Sequence, residues 1–144
     1  MELRLIELND LDSLGMLYDI YKDCMFMPSE EKFNKKMTAF LKDDAIKIFA
    51  CLDQRELKGA VVCSLSESNK IKIVGIAVEH SDRCKGIGTY IIKSLTDAYP
   101  MHSVIAETDK DAIGFYRKYG FSVTECSENY NGENIIRYRC ELER

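Results

Sequence analysis

Arg83, Cys84, Lys85, Gly86, Ile87, Gly88 and Thr89 set two cations and two glycines directly after the apolar run Ile73 to Val78. This pattern suits an anion. A helix starting here offers unpaired backbone N–H groups at its positive dipole end, the glycines let a diphosphate approach the backbone, and Arg83 and Lys85 add charge. A Walker loop requires Gly-Lys-Ser/Thr, whereas Gly86 is followed by Ile87. A dinucleotide fingerprint requires a third glycine where Ile91 stands, yet Glu107 falls about 20 residues on, where a ribose-binding acid is expected. A nucleotide-binding module therefore stays open. Gly75, inside the preceding strand pattern, marks a bulge or a close backbone approach.

The elements that must hold this loop follow from periodicity. Residues 2–7 read as a strand, and Asn9 or Asp10 caps a helix carrying Leu11, Leu14, Leu17, Tyr18 and Tyr21 at helical spacing. Pro28 and Ser29 open a second helix with Phe33, Met37, Phe40 and Leu41 on one stripe. From residue 45 the period changes to that of strands, giving three consecutive antiparallel segments at 45–52, 57–66 and 70–79. A helix follows at 86–98 and stops before Pro100. A strand at 102–107, a helix at 110–119 ended by Gly120, and strands at 121–126 and 134–142 complete the order. The loop around Asn131 and Gly132 looks longer than two residues. A helix between strands 70–79 and 102–107 makes that pair parallel.

The chain has 144 residues, 46% hydrophobic and 31% charged, with a net charge of −4. That length suits a single domain over 1–144 with one core. The acidic balance argues against a nucleic-acid binder held by a basic face and mildly favours a cationic partner. No secretory leader pattern and no apolar run of about 20 residues is present, so a cytoplasmic protein without membrane contact is expected. Six cysteines show no C-x-x-C spacing. They read as small buried hydrophobes, with no metal site expected.

Arg83 to Gly88 also resembles the acetyl-CoA signature Arg/Gln-x-x-Gly-x-Gly/Ala of the GNAT superfamily of N-acetyltransferases. Asp109, Ala112, Phe115, Tyr116, Gly120 and Phe121 match its second motif, Asn-x-x-Ala-x-x-Phe-Tyr-x-x-x-Gly-Phe, in the expected order and spacing. Cys84 stands where glycine is usual, Asp109 where asparagine is usual, and His80 where proline is common. The fold implied is α/β and GNAT-like: a mixed, mostly antiparallel sheet with a central parallel strand pair flanked by helices.

The resemblance implies direct transfer of acetyl from acetyl-CoA to a primary amine, of a small molecule or a peptide, in a ternary complex. It places the cofactor against Ile76, Ala77 and Val78, the loop and helix start Arg83 to Thr89, Asp109 and Tyr116. Tyr116 becomes the acid that protonates the leaving sulfur, although its helical stripe alone reads as core. Glu107 is the best-placed base, with Glu79, His80 or a water as substitutes. The acceptor enters between Met25, Phe26, Met27 and the 127–133 loop, where Glu128, Tyr130 and Glu133 receive a cation. A non-catalytic acyl-CoA-binding sensor is the rival function. Strand 134–142, read as an edge, leaves a homodimer open.

Overall fold

The computed structural model describes residues 2–83, 85–100 and 102–143, and of Tyr130 the backbone only. Strand β1 (Leu3–Glu7) leads into a broken helical arm: α1 (Leu11–Leu14), a 3-10 turn, α2 (Tyr18–Tyr21) and a second 3-10 turn (Lys22–Cys24). The Asp10 carboxylate accepts the Ser13 N–H at 2.7 Å and caps α1. The single helix expected here is thus divided by tighter turns. Helix α3 (Glu30–Leu41) starts where Ser29 Oγ accepts the Lys32 N–H at 3.2 Å, and Glu30 and Glu31 complement the positive end of its dipole.

Then come β2 (Ile46–Asp53), β3 (Glu56–Ser64), β4 (Lys70–Val78), α4 (Ile87–Ala98), β5 (Ser103–Thr108), α5 (Ile113–Tyr119), β6 (Ser122–Tyr130) and β7 (Glu133–Leu142). They form one seven-stranded sheet in the order β1-β2-β3-β4-β5-β7-β6. Among the described residues only β4 and β5 are parallel, as the intervening α4 requires.

Alternation along the strands builds two apolar layers. Ile71, Ile73, Val61 and Cys63 meet Ile87, Ile91, Ile92 and Leu95 of α4 on one face. Ile48, Ala50, Ala60 and Val62 meet Leu14, Leu17, Tyr21, Phe33 and Met37 on the other. Cys51, Cys63 and Cys140 are buried as expected, but Cys24 is exposed and Cys126 half-buried. Among the described residues no helix is long and apolar enough to cross a membrane.

Two expectations need correction. Strand β7 is not an edge: it pairs with β5 on one side and β6 on the other, leaving β6 outermost. Backbone pairing across a dimer through residues 134–142 is therefore blocked by the chain's own strands. The 127–133 segment is the end of a hairpin whose strands run to Tyr130 and Glu133, joined by the two-residue turn Asn131 (φ 52°) and Gly132 (φ 83°). Left-handed values at both positions are what the Asn-Gly pair permits in such a turn.

Candidate active site

Strand β4 sets the geometry. Its parallel pairing with β5 runs from Lys70 opposite Ser103 to Ile73 opposite Ala106 and stops. Pairing with β3 continues to Val78 opposite Gly59, interrupted where Ile73 faces Cys63 and Gly75 faces Val62. Val74 is thus the extra residue of a β-bulge, which bends the strand away from β5. The residues Ile76, Ala77 and Val78 keep β3 on one edge and, among the described residues, have no strand on the other, so a slot opens through the sheet. At Gly75 a Cβ would lie 2.5 Å from the Tyr21 hydroxyl, so glycine admits the ring of α2 against the bulge. The Cys24 thiol, 3.3 Å away, donates to the Ile76 carbonyl. Cys24 as a whole is exposed, but its thiol lies against the β4 backbone, and this desolvation, then the neighbouring Asp23, push it up to about 11.

At its far end β4 passes through a 3-10 turn (His80–Asp82) into α4. Gly86 precedes the helix with φ 83° and ψ 10°, a left-handed conformation that glycine adopts without penalty, and its Cβ direction is open space. Among the described residues no side chain caps this end, and the first helical bond is Tyr90 N–H to the Gly86 carbonyl at 2.9 Å. The N–H groups of Ile87, Gly88 and Thr89 are left without helical partners. Ile87 turns its side chain into the core, Thr89 is exposed, and Gly88 makes room for Phe115, whose ring would stand 3.1 Å from a Cβ there.

The loop cations are held from below. Asp82, only 6% exposed, accepts from Lys58 Nζ at 3.0 Å and Lys85 Nζ at 3.3 Å. The hydrogen bond from Lys58 chiefly holds the Asp82 carboxyl below the usual range, and the same bond raises Lys58. Lys58 is itself the extra residue where β3 slips against β2, between Leu57 opposite Leu52 and Gly59 opposite Cys51. Arg83 reaches Asp23 at 3.2 Å, and His80 Nε2 lies 2.7 Å from the same carboxylate oxygen, tying the helical arm to the loop. Cys84 falls outside the described residues.

Tyr116 is 4% exposed in α5, with Phe115 and Phe121 edge-on at 5.1 Å each. Burial first, then the thiols of Cys140 and Cys24, raises its phenol well above the ordinary value. It stays protonated at neutral pH and so has a proton to give. Glu107 lies on the opposite face of the sheet. Its neighbour Ala106 packs in the α4 layer, while its carboxylate stands 3.6 Å from Lys72 Nζ and 3.7 Å from Arg139. The two catalytic candidates therefore flank the slot from opposite sides.

The helix expected from residue 110 starts later, beyond Asp109. The Asp109 carboxylate accepts the Asp111 N–H at 3.1 Å in a local turn, and α5 begins only at Ile113. Glu79 donates its N–H to the Lys58 carbonyl at 2.8 Å and prolongs the β4 edge. Met25 to Met27 leave Phe26 and Met27 largely exposed, and Glu128 and Glu133 project from the hairpin end. The Tyr130 side chain lies outside what is described. Among the described residues no group of three or more His, Cys, Asp or Glu gathers as for a metal ion. Sequence reasoning missed Asp23, Lys58, Asp82 and Tyr21. Only Asp82 carried a local signal, standing one residue before Arg83 and three before Lys85.

The model of the family described as Acetyltransferase (GNAT) family matches residues 14–121. The chain belongs to the GNAT acetyltransferase family. That family uses acetyl-CoA as co-substrate, and the GNAT loop after β4 fits a diphosphate by its unpartnered N–H groups, its open left-handed glycine and its two cations. The GNAT fold recurs in solved structures. A mutant of SpeG spermidine N-acetyltransferase from Vibrio cholerae superposes with a TM-score of 0.75 at 17% identity, covering 97% of this chain and 92% of that one. An acetyltransferase from Bacillus subtilis in complex with CoA gives 0.71 at 18%, covering 99% of each. IAA acetyltransferase from Bacillus cereus gives 0.66 at 18%, covering 99% of this chain and 100% of that one. At such identities the likeness concerns the fold. No curated protein matches the sequence.

Proposed function

We propose that residues 1–144 act as one catalytic domain that moves an acetyl group from acetyl-CoA to a primary amine by direct attack in a ternary complex. The observation that carries this reading is the free edge of β4 beyond Ile73, which ends at the uncapped start of α4. The N–H groups of Gly86 to Thr89, with Arg83 and Lys85 beside them, take the diphosphate. The unpaired edge at Ile76, Ala77 and Val78 takes the amide-bearing arm as a strand would and polarises the thioester carbonyl. Asp109, at the mouth of the slot before α5, borders that arm.

The amine nitrogen sheds one proton before attack, to Glu107 directly or through a water. It then bonds to the thioester carbon, and the C–S bond breaks as the tetrahedral intermediate collapses. As it collapses, Tyr116 protonates the departing thiolate, and the nitrogen's second proton passes through solvent water to restore the Tyr116 phenol. Neutral amine and acetyl-CoA give the acetamide and the CoA thiol. The test is calorimetric titration with acetyl-CoA and CoA, followed by thiol release with amines and with the protein cysteines blanked. Binding with turnover supports the enzyme, and binding with none for any amine supports a sensor.

A further inference from the structure

We infer that the acceptor is an amine that also carries a carboxylate, and that Arg137 with Lys72 binds this carboxylate; the inference rests on the acetyl-transfer reading above. Lys72 faces Ser64, which alternates with Val62 and Ala60 of the α3-side layer, and Lys72 is paired with Ile105, two residues before Glu107. Lys72, Glu107 and Arg139 thus share the sheet face opposite α4, across the slot from the loop that would hold the cofactor. On that face a groove of ≈ 400 Å³ is lined by Ser64, Ser66, Lys72, Val74, Glu107 and Arg137. Val74 is the bulge residue, so the groove ends at the slot through which an acyl carbon would be presented.

The charges in this groove are unequal. Among the described residues Glu107 supplies its only carboxylate, and that group already has Lys72 at 3.6 Å and Arg139 at 3.7 Å. Arg137 donates to the Glu107 backbone carbonyl at 3.3 Å, and among the described residues no carboxylate lies within ion-pair distance of it. A half-buried guanidinium with most of its donors unspent is built for a planar, two-oxygen anion. The chain carries −4 overall, so a basic groove at the slot is not a by-product of composition. A polycation would meet Lys72 and Arg137 at like charge, whereas an amino carboxylate offers its ammonium to Glu107 and its carboxylate to the two cations.

The experiment compares kcat/KM for amino acids of differing side chain with the matched primary amides and decarboxylated amines, and with a polyamine, in wild type, Arg137→Ala and Arg137→Lys. The expected result is an acid preferred over its amide by at least about tenfold, the scale of one lost charge-assisted contact. The acid-to-amide ratio should collapse toward unity in Arg137→Ala and recover in part in Arg137→Lys. Because it is a ratio, it does not move with the fraction of folded enzyme. Equal use of acid and amide, preference for the polyamine, an unchanged ratio in Arg137→Ala, or silence of the whole panel overturns the inference. Acetyl-CoA titration of the same preparations separates the two failures: intact binding removes only the anionic acceptor, and absent binding removes the acetyl-transfer reading beneath it.

Discussion

Tyr116, the proposed acid, illustrates how the demands of packing and of chemistry can meet in one side chain. Its ring fills the layer under α4, and the burial that makes it core also keeps the phenol protonated, which is the state a proton donor requires. Tyr116→Phe retains the ring contacts, so acetyl-CoA affinity should hold while kcat falls by about 10²-fold, the lower end for loss of a general acid. Thiol-release kinetics beside calorimetry checks both halves. Gly75 is constrained by sterics. A Cβ there would stand 2.5 Å from the Tyr21 hydroxyl and 2.9 Å from its ring carbons, with the ring only 1% exposed and unable to retreat. Gly75→Ala should cost about 1–3 kcal/mol, read as a lowered urea midpoint. The glycine was legible in the sequence as a bulge or a close approach. Tyr21 as its occupant was not, because 54 residues of chain separate them.

The turn from β4 into α4 works as an element because its parts are fixed independently. Gly86 sets the bend through its left-handed backbone, and Asp82 anchors the loop through Lys58 and Lys85. Gly86→Ala should lose about 1–3 kcal/mol of stability to backbone strain, measured by denaturation, and weaken acetyl-CoA binding in titration. The Asp82 anchor has a definite pH window. Its carboxyl lies below the ordinary 3.8 in the folded protein, so its contribution is complete above about pH 4 and fades as pH falls through the folded value. Lys58 is raised above its ordinary 10.5, so its contribution is complete below that and fades as pH rises through the folded value. Asp82→Asn should flatten the acid limb of a plot of thermal midpoint against pH, while wild type shows it. The loop's cations and glycines were legible because they are contiguous. The anchor was not, because Lys58 reaches Asp82 only through a β3 bulge that no local pattern announces. Likewise Asp109 invites a helix cap by residue type, yet its carboxylate turns onto its own backbone and shortens α5 by about a turn.

At the scale of the molecule, hydrophobic period gave the element order well, since strands and helices bury their faces at different spacings. Strand order was less legible. Whether β6 or β7 lies against β5 is decided by pairing over the whole hairpin, and Val104 to Thr108 settle it by taking Leu142 to Tyr138 as partners. What the sheet accomplishes as a whole is to let one strand pair end early, so that the loop and Tyr116 stand on one side of a slot and Glu107 with its groove on the other. Hydrogen exchange followed with and without acetyl-CoA tests this most directly. The account predicts saturable binding with new amide protection confined to residues 74–78 and 86–89. Protection absent from both stretches, or binding that protects a different part of the sheet, would contradict it.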